Sequence, residues 1–133
     1  MPLLRGHHLI CLYFFQGDGY DQAFIINLRN AINLAEREDI TVGSGADIVC
    51  SRCPCLKQDR CTQTENANEE ILEMDAKALE LLCLSSHSKI SWNNLRDMIY
   101  KIFPEWFSLY CIECNWKASC EKNIYFKQLI KKI

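Results

Sequence analysis

Glycine and proline are scarce, with five and three among 133 residues. Their scarcity, together with 49% hydrophobic residues, excludes a collagen-like, low-complexity or disordered chain. Long apolar runs are missing as well. The longest, Leu9 to Phe15, falls far short of the roughly 18 residues that cross a bilayer, so no transmembrane helix is expected. That run follows Arg5, but His7 and His8 abut it and Gln16-Gly17-Asp18-Gly19 is no small-residue cleavage site. A signal peptide is therefore not expected, and the protein reads as cytoplasmic. An excess of one charge is also lacking: the net charge of −2 supplies no strong field, which disfavours nucleic acid and an anionic membrane as partners. There is no Gly-rich phosphate loop, no Gly-x-Ser-x-Gly elbow, no His-Glu-x-x-His and no recognisable catalytic pair of carboxylates. The catalytic classes with those signatures find no support.

At this length about two-thirds of the unfolded chain's surface can be buried on folding, so one domain over residues 1–133 is expected and no metal is needed merely to have a core. The pattern of apolar residues is helical over most of the chain. His7 to Phe15 suits a short buried helix. Phe24, Leu28, Ala31 and Ala35 recur at helical spacing from Gln22 to Glu38, with Asp21 as N-cap. Ile40-Thr41-Val42 reads as a brief strand, with no second strand of comparable quality after it. Asn66 and Glu69 resemble a capping box before the stripe Ile71, Met74, Ala78, Leu81, Leu82, which runs to about Cys83 and puts that cysteine in the core. Ser91 caps a further helix, with Trp92, Leu95, Ile99 and Ile102 or Phe103 on one face, that Pro104 is expected to end. From Cys120 a last helix sets Phe126, Leu129, Ile130 and Ile133 against Lys127, Lys131 and Lys132, a basic face of the kind that is usually solvated. The expected fold is mainly α, about five helices with at most one or two short strands and cysteine-rich loops joined by a metal centre; the alternative is α+β.

Against these absences stand nine cysteines. Without an export signal, clustered cysteines point to metal or redox chemistry before disulfides. Cys50-x-x-Cys53 is followed by Cys61, and Cys111-x-x-Cys114 by Cys120, so each stretch is a three-cysteine half-site. The x-x spacing lets a tight turn aim two thiolates at one ion or cluster edge. Bringing the halves together closes a loop of about 58 residues at roughly 3.6 kcal/mol, whereas thiolate metal binding supplies on the order of 10 kcal/mol or more. Arg52, Lys57, Arg60, Lys117 and Lys122 lie among the cysteines, where they would favour thiolates.

Spacing leaves the metal open. Cys50, Cys53, Cys111 and Cys114 would make a tetrahedral zinc site or hold a 4Fe-4S cluster, in either case with Cys61 and Cys120 in surplus; two separate centres, each with three cysteines and a fourth ligand, would use all six. The residues alone put zinc slightly ahead of iron-sulfur. A thiol–disulfide enzyme ranks third, because no βαβ pattern accompanies the Cys-x-x-Cys.

Leu4-Arg5-Gly6-His7-His8-Leu9-Ile10-Cys11-Leu12, Gly19-Tyr20, Asp47-Ile48-x-Cys50-x-x-Cys53-Pro54 with Cys61, and Cys111-x-x-Cys114-x-Trp116-x-x-x-Cys120 together resemble a family of small bacterial and archaeal proteins, domain-of-unknown-function family 1284. Its members are about this long and are presumed to bind an iron-sulfur centre. The resemblance implies a shift from zinc to iron-sulfur, with 4Fe-4S favoured, and makes Cys50, Cys53, Cys61, Cys111, Cys114 and Cys120 the motif positions. It implies no reaction. Cys55 is an extra in this chain, held off Cys53 by Pro54, and is expected to be a free thiol near the centre.

His7, His8 and Cys11 are secondary candidates. On a helix His7 and Cys11 fall one turn apart, and such a pair can complete a metal site; the alternative is a small buried cysteine beside hydrogen-bonded histidines. Trp116, between two candidate ligands, would shield a cluster or pack in the core. The expected function is an iron-sulfur-binding protein that hands electrons to a redox or protein partner or senses redox state. The alternatives are a structural zinc protein acting as an interaction module and a cluster-assisted enzyme with His7 or His8 as proton carrier.

Overall fold

The computed structural model describes residues 2–17, 21–43, 47, 49–50, 56–57, 60–61, 67–112, 114 and 117–131, with side chains omitted at 56–57, 60–61 and 67. The chain opens on a strand, β1 (Leu3–Arg5), that runs straight into helix α1 (Gly6–Cys11) and a 3-10 turn (Leu12–Phe14). Helix α2 (Gln22–Arg37) follows, its first turn closed by the Asp21 carboxylate, which accepts from Phe24 N at 2.8 Å. The α2 face made by Phe24, Leu28, Ala31 and Ala35 is buried, as its spacing predicts.

Strand β2 (Ile40–Gly43) returns beside β1 in parallel, pairing Leu4 with Val42. Two further strands, β3 (Leu56–Lys57) and β4 (Arg60–Cys61), form a short antiparallel hairpin. After α3 (Ala67–Leu82), strand β5 (Lys89–Ile90) pairs antiparallel with β2, giving a three-stranded sheet in the order β1-β2-β5. The protein is mainly helical, as expected, but has more strands than its sequence suggests. β1, β3, β4 and β5 are two or three residues long. None of them is long enough to show an alternating pattern; the pairing of β1 and β5 is decided by the two edges of β2.

Helix α4 (Trp92–Trp106) begins at Ser91, whose hydroxyl accepts from Asn94 N at 3.2 Å. It does not end before Pro104. Pro104 lies inside it, and the helix then widens into a π-helical segment, Phe107–Cys111. An interior proline costs about 3 kcal/mol, but Phe103 and Trp106, both fully buried, gain roughly 2–3 kcal/mol each by staying on the core face. The aromatic core around them holds the helix together: Phe103 packs edge-on against Phe14 and Phe126 at 5.4 and 5.5 Å between ring centroids. The expected last helix is two: α5 (Lys117–Cys120) and α6 (Ile124–Ile130), separated where Asn123 caps α6 by accepting from Phe126 N. Phe126 and Leu129 are buried as the pattern requires, while Lys132 and Ile133 lie outside the described residues.

Cys83 is exposed, not part of the core. It sits past the end of α3 with φ of 56°, while Cys83 N bonds Glu80 O and Leu84 N bonds Leu79 O at 3.2 and 3.0 Å. That is a Schellman stop, in which the residue after the helix turns left-handed and its side chain leaves the apolar stripe. Glycine suits this position better than cysteine does. Cys83→Gly is expected to raise unfolding stability by about 1 kcal/mol, measured as a higher urea midpoint at unchanged slope.

Candidate metal centres

The first residues of the chain are gripped by two buried carboxylates. Helix α1 has no side-chain cap of its own. Asp75 of α3 supplies one from outside: its Oδ1 accepts from the His7 amide at 2.9 Å and its Oδ2 from Arg5 Nε at 2.6 Å. The approach is so close that a Cβ on Gly6 would stand 2.3 Å from the Asp75 carbonyl oxygen, so only glycine fits there. Asp47 holds the same segment from the other side. Its Oδ2 accepts from the Arg5 amide at 2.8 Å, and its Oδ1 from the amides of Val49 and Cys50 at 3.0 and 3.1 Å.

Each carboxylate also orients a histidine. His7 Nδ1 lies 2.6 Å from Asp75 Oδ1, and His8 Nδ1 lies 2.6 Å from Asp47 Oδ2. An ionised carboxylate only accepts, so both imidazoles carry hydrogen on Nδ1 and keep the Nε2 lone pair when neutral. The rings pack on one another with centroids 4.1 Å apart. Burial, reinforced by the neighbouring His8, lowers the His7 pKa to about 4 against the pull of Asp75. Burial would raise the Asp47 pKa, but His8 and the amides of Arg5 and Cys50 hold it well below the usual carboxylate range. Asp75 is also depressed: burial opposes its charge, and bonds to His7 and Arg5 outweigh the burial.

Arg5, only 2% exposed, is the cation at the centre. Its Nη1 donates to Cys50 Sγ at 3.5 Å, while Nη2 is buried with no hydrogen-bond partner among the described residues. Burial alone would lower its pKa, and the bonds to Cys50 and Asp75 more than reverse this. Burial and the charge of Asp47 push the Cys50 thiol up, with Arg5 pulling the other way. His8, Asp47 and Cys50 together offer one nitrogen, one oxygen and one sulfur whose donor atoms all lie within 4.8 Å of one another.

A second group gathers around the C-terminal cysteines. Cys111 ends the π-helical segment, Cys114 N bonds Cys111 O at 3.2 Å, and Lys117 N bonds Cys114 O at 3.1 Å, which starts the helix that ends at Cys120. Cys11, the last residue of α1, is drawn to them by a link between the chain beyond it and the chain beyond Cys120: Asn123 Nδ2 donates to Tyr13 O at 3.2 Å, and Asn123 N to Cys120 O at 2.9 Å. Burial pushes the thiols of Cys111 and Cys120 up to about 12 and about 11, in each case helped by Cys114. Cys11 is raised as well, first by burial and then by Cys111, Cys120 and Cys114. Lys117 opposes the rise at Cys111, a role expected of it from sequence. Trp106 Nε1, in the helix that leads to Cys111, is buried and has no hydrogen-bond partner among the described residues.

The predicted half-sites thus fall into different company. Cys111, Cys114 and Cys120 are together with Cys11, whereas Cys50 stands with Arg5, His8 and Asp47. Of the expected His7 and Cys11 pair, His7 turns its Nδ1 to Asp75, and Cys11 is close enough to the C-terminal thiols for them to raise its pKa. Cys53, Cys55 and Trp116 lie outside the described residues, as do the side chains of Cys61, Lys57 and Arg60 and the whole of Arg52. Sequence reasoning missed Arg5, Asp47 and Asp75 as site residues. Arg5 and Asp47 stand within the motifs that carry the family resemblance, which is the signal that could have found them, whereas nothing local marks Asp75.

The chain belongs to a family described as protein of unknown function (DUF1284), whose family model matches residues 19–120. The match takes in Asp47, Asp75 and Cys50 through Cys120, and leaves the β1–α1 segment with Arg5, His7, His8 and Cys11 outside it. No curated protein and no solved structure matches the chain. Among the described residues, no helix is long and apolar enough to cross a membrane.

Two outcomes follow from the paired carboxylates. Asp75→Asn leaves the buried Arg5 without its charge partner and is expected to cost about 3–5 kcal/mol in urea unfolding. In metal-free protein His7 stays neutral to about pH 4, whereas the unfolded chain takes that proton near pH 6.5. Its folded pKa is depressed, so its share of stability is complete above about pH 6.5 and is lost as pH falls towards 4, by about 3 kcal/mol in all. His7→Gln should flatten the stability profile over that interval, and an NMR titration should place the imidazole midpoint near the lower end.

Proposed function

We propose that this protein binds an iron-sulfur centre and that Cys11, Cys111, Cys114 and Cys120 are its ligands. The observation that carries the reading is the gathering of these four thiols, from opposite ends of the chain, into one group in which Cys114 helps to push up the thiols of Cys11, Cys111 and Cys120. Four thiols is the ligand number of both a 4Fe-4S cluster and a structural zinc site. Spacing favours the cluster. Zinc–sulfur bonds of about 2.3 Å place the sulfurs of a tetrahedral site roughly 3.8 Å apart. Among the described residues only the His8, Asp47 and Cys50 set brings three donors within 4.8 Å. A cluster, being several atoms across, takes the wider set.

The fit is chemical as well. Neighbouring thiolates repel, which keeps the thiols protonated, and a metal that displaces those protons supplies the positive charge that offsets the repulsion. Lys117 beside Cys111 is the kind of group that offsets the charge of a thiolate-bound cluster, and the buried indole N–H of Trp106, five residues before Cys111 and without a hydrogen-bond partner among the described residues, is the kind of donor that bonds its sulfurs. When bound, such a centre supplies one-electron chemistry, which suits a carrier of electrons or a sensor of redox state. The protein's residues would set its potential through burial and through these donors.

Purification without oxygen, followed by iron and acid-labile sulfide analysis, tests the reading. Iron and sulfide in equal amounts are expected, and Cys11→Ser, Cys111→Ser and Cys114→Ser should each lose most of both while Cys83→Ser retains them. Stoichiometric zinc without sulfide from iron-replete cells would overturn the iron-sulfur reading in favour of structural zinc, and full retention of iron by Cys11→Ser would overturn the ligand set.

A further inference from the structure

We infer that His8, Asp47 and Cys50 form a second metal site, one for a single divalent ion of the zinc class, whose donors are wholly distinct from the four thiols that gather around Cys111. One imidazole nitrogen, one carboxylate oxygen and one sulfur within 4.8 Å of one another is a mixed set that suits a borderline ion such as zinc and not the hard, all-oxygen preference of magnesium or calcium.

The donors are held before any ion arrives. Asp47 accepts from the Cys50 amide at 3.1 Å and from the Arg5 amide at 2.8 Å, so one carboxylate fixes both the turn that carries the sulfur and the segment that carries His8. Such preorganisation lowers the ordering cost of binding. The side chains of Asp47 and His8 are 1% and 14% exposed, so the carboxylate is screened from water while the imidazole edge stays reachable. The short bond between His8 Nδ1 and Asp47 Oδ2, 2.6 Å, must open for both to bind one ion, and the ion's own attraction for two donors replaces it.

Charge closes the argument. Asp47, Asp75 and a Cys50 thiolate carry three negative charges, and Arg5 carries one positive charge bonded to both Asp75 and Cys50. A divalent ion makes this sum zero; a monovalent or trivalent ion does not. Buried charges are tolerated only when they are compensated in this way. Arg5 is then a positioning residue that holds the sulfur and balances it, and is not itself a ligand.

The test uses full-length Cys11→Ser/Cys114→Ser protein, in which the four-thiol group is broken, titrated with cobalt(II) without oxygen. One equivalent should bind, with sulfur-to-cobalt charge-transfer absorption and the intense visible bands of a four-coordinate ion. Adding His8→Gln or Cys50→Ser should weaken binding at least tenfold, and Cys50→Ser should also remove the charge-transfer band. Circular dichroism on each variant shows that it is folded, and neither substitution removes a backbone hydrogen bond. Loss of cobalt binding from the Cys11→Ser/Cys114→Ser protein, or binding unchanged by His8→Gln, would overturn the site. Both outcomes are independent of whether the wild-type protein yields iron and sulfide.

Discussion

A guanidinium almost fully removed from water, five residues into the chain, is the constraint on which the architecture turns. The desolvation of Arg5 must be offset, and the structure does so with Asp75 at 2.6 Å. Asp75 lies on the middle helix, α3, so the N-terminal strand and α1 are pinned across it. The same carboxylate caps α1 and orients His7, and the close seat of Gly6 on the α3 backbone lets all three contacts form together. Breaking the ion pair would therefore disturb fold and site at once.

The segment from Leu3 to Phe14 then acts as a strut between two chemically different regions. Its first half, Arg5 to His8, belongs to the carboxylate network with Asp47 and Cys50. Its second half ends at Cys11, facing Cys111, Cys114 and Cys120, and continues into the aromatic core through Phe14. This arrangement gives a short apolar helix and the strand before it an unusual density of polar work: Arg5, His7 and His8 make five contacts to the carboxylates of Asp47 and Asp75, and a thiol stands at the far end. The cost of burying those groups is met by partners drawn from far along the chain, Asp47, Asp75 and Asn123, each of which makes more than one hydrogen bond.

Long elements were legible from local pattern. The stripes of α2 and α4 lie on the core side because a period of 3.6 residues, repeated over four turns, leaves no other economical arrangement, and the Asp21 and Ser91 caps act through their own third-following amides. Features decided by a neighbour were not legible. The strands β1 and β5 exist because β2 offers two edges. Pro104 is carried through α4 because the aromatic side chains on either side of it are locked in the core. Cys83 belongs to the apolar stripe by spacing alone, but the left-handed stop of α3 turns it outward.

Helical periodicity and short-range spacing are properties of contiguous residues, so a mainly helical protein with thiols grouped as Cys-x-x-Cys pairs and a third cysteine is readable from the chain alone. The company each thiol keeps comes from folding. Cys11 joins the C-terminal group, which begins a hundred residues later, through Asn123 and Tyr13, themselves 110 residues apart in the chain, and Cys50 is set beside Arg5 and His8 by a carboxylate three residues before it. Such partnerships depend on how helices pack and on which buried charges must find each other, and no local pattern encodes either.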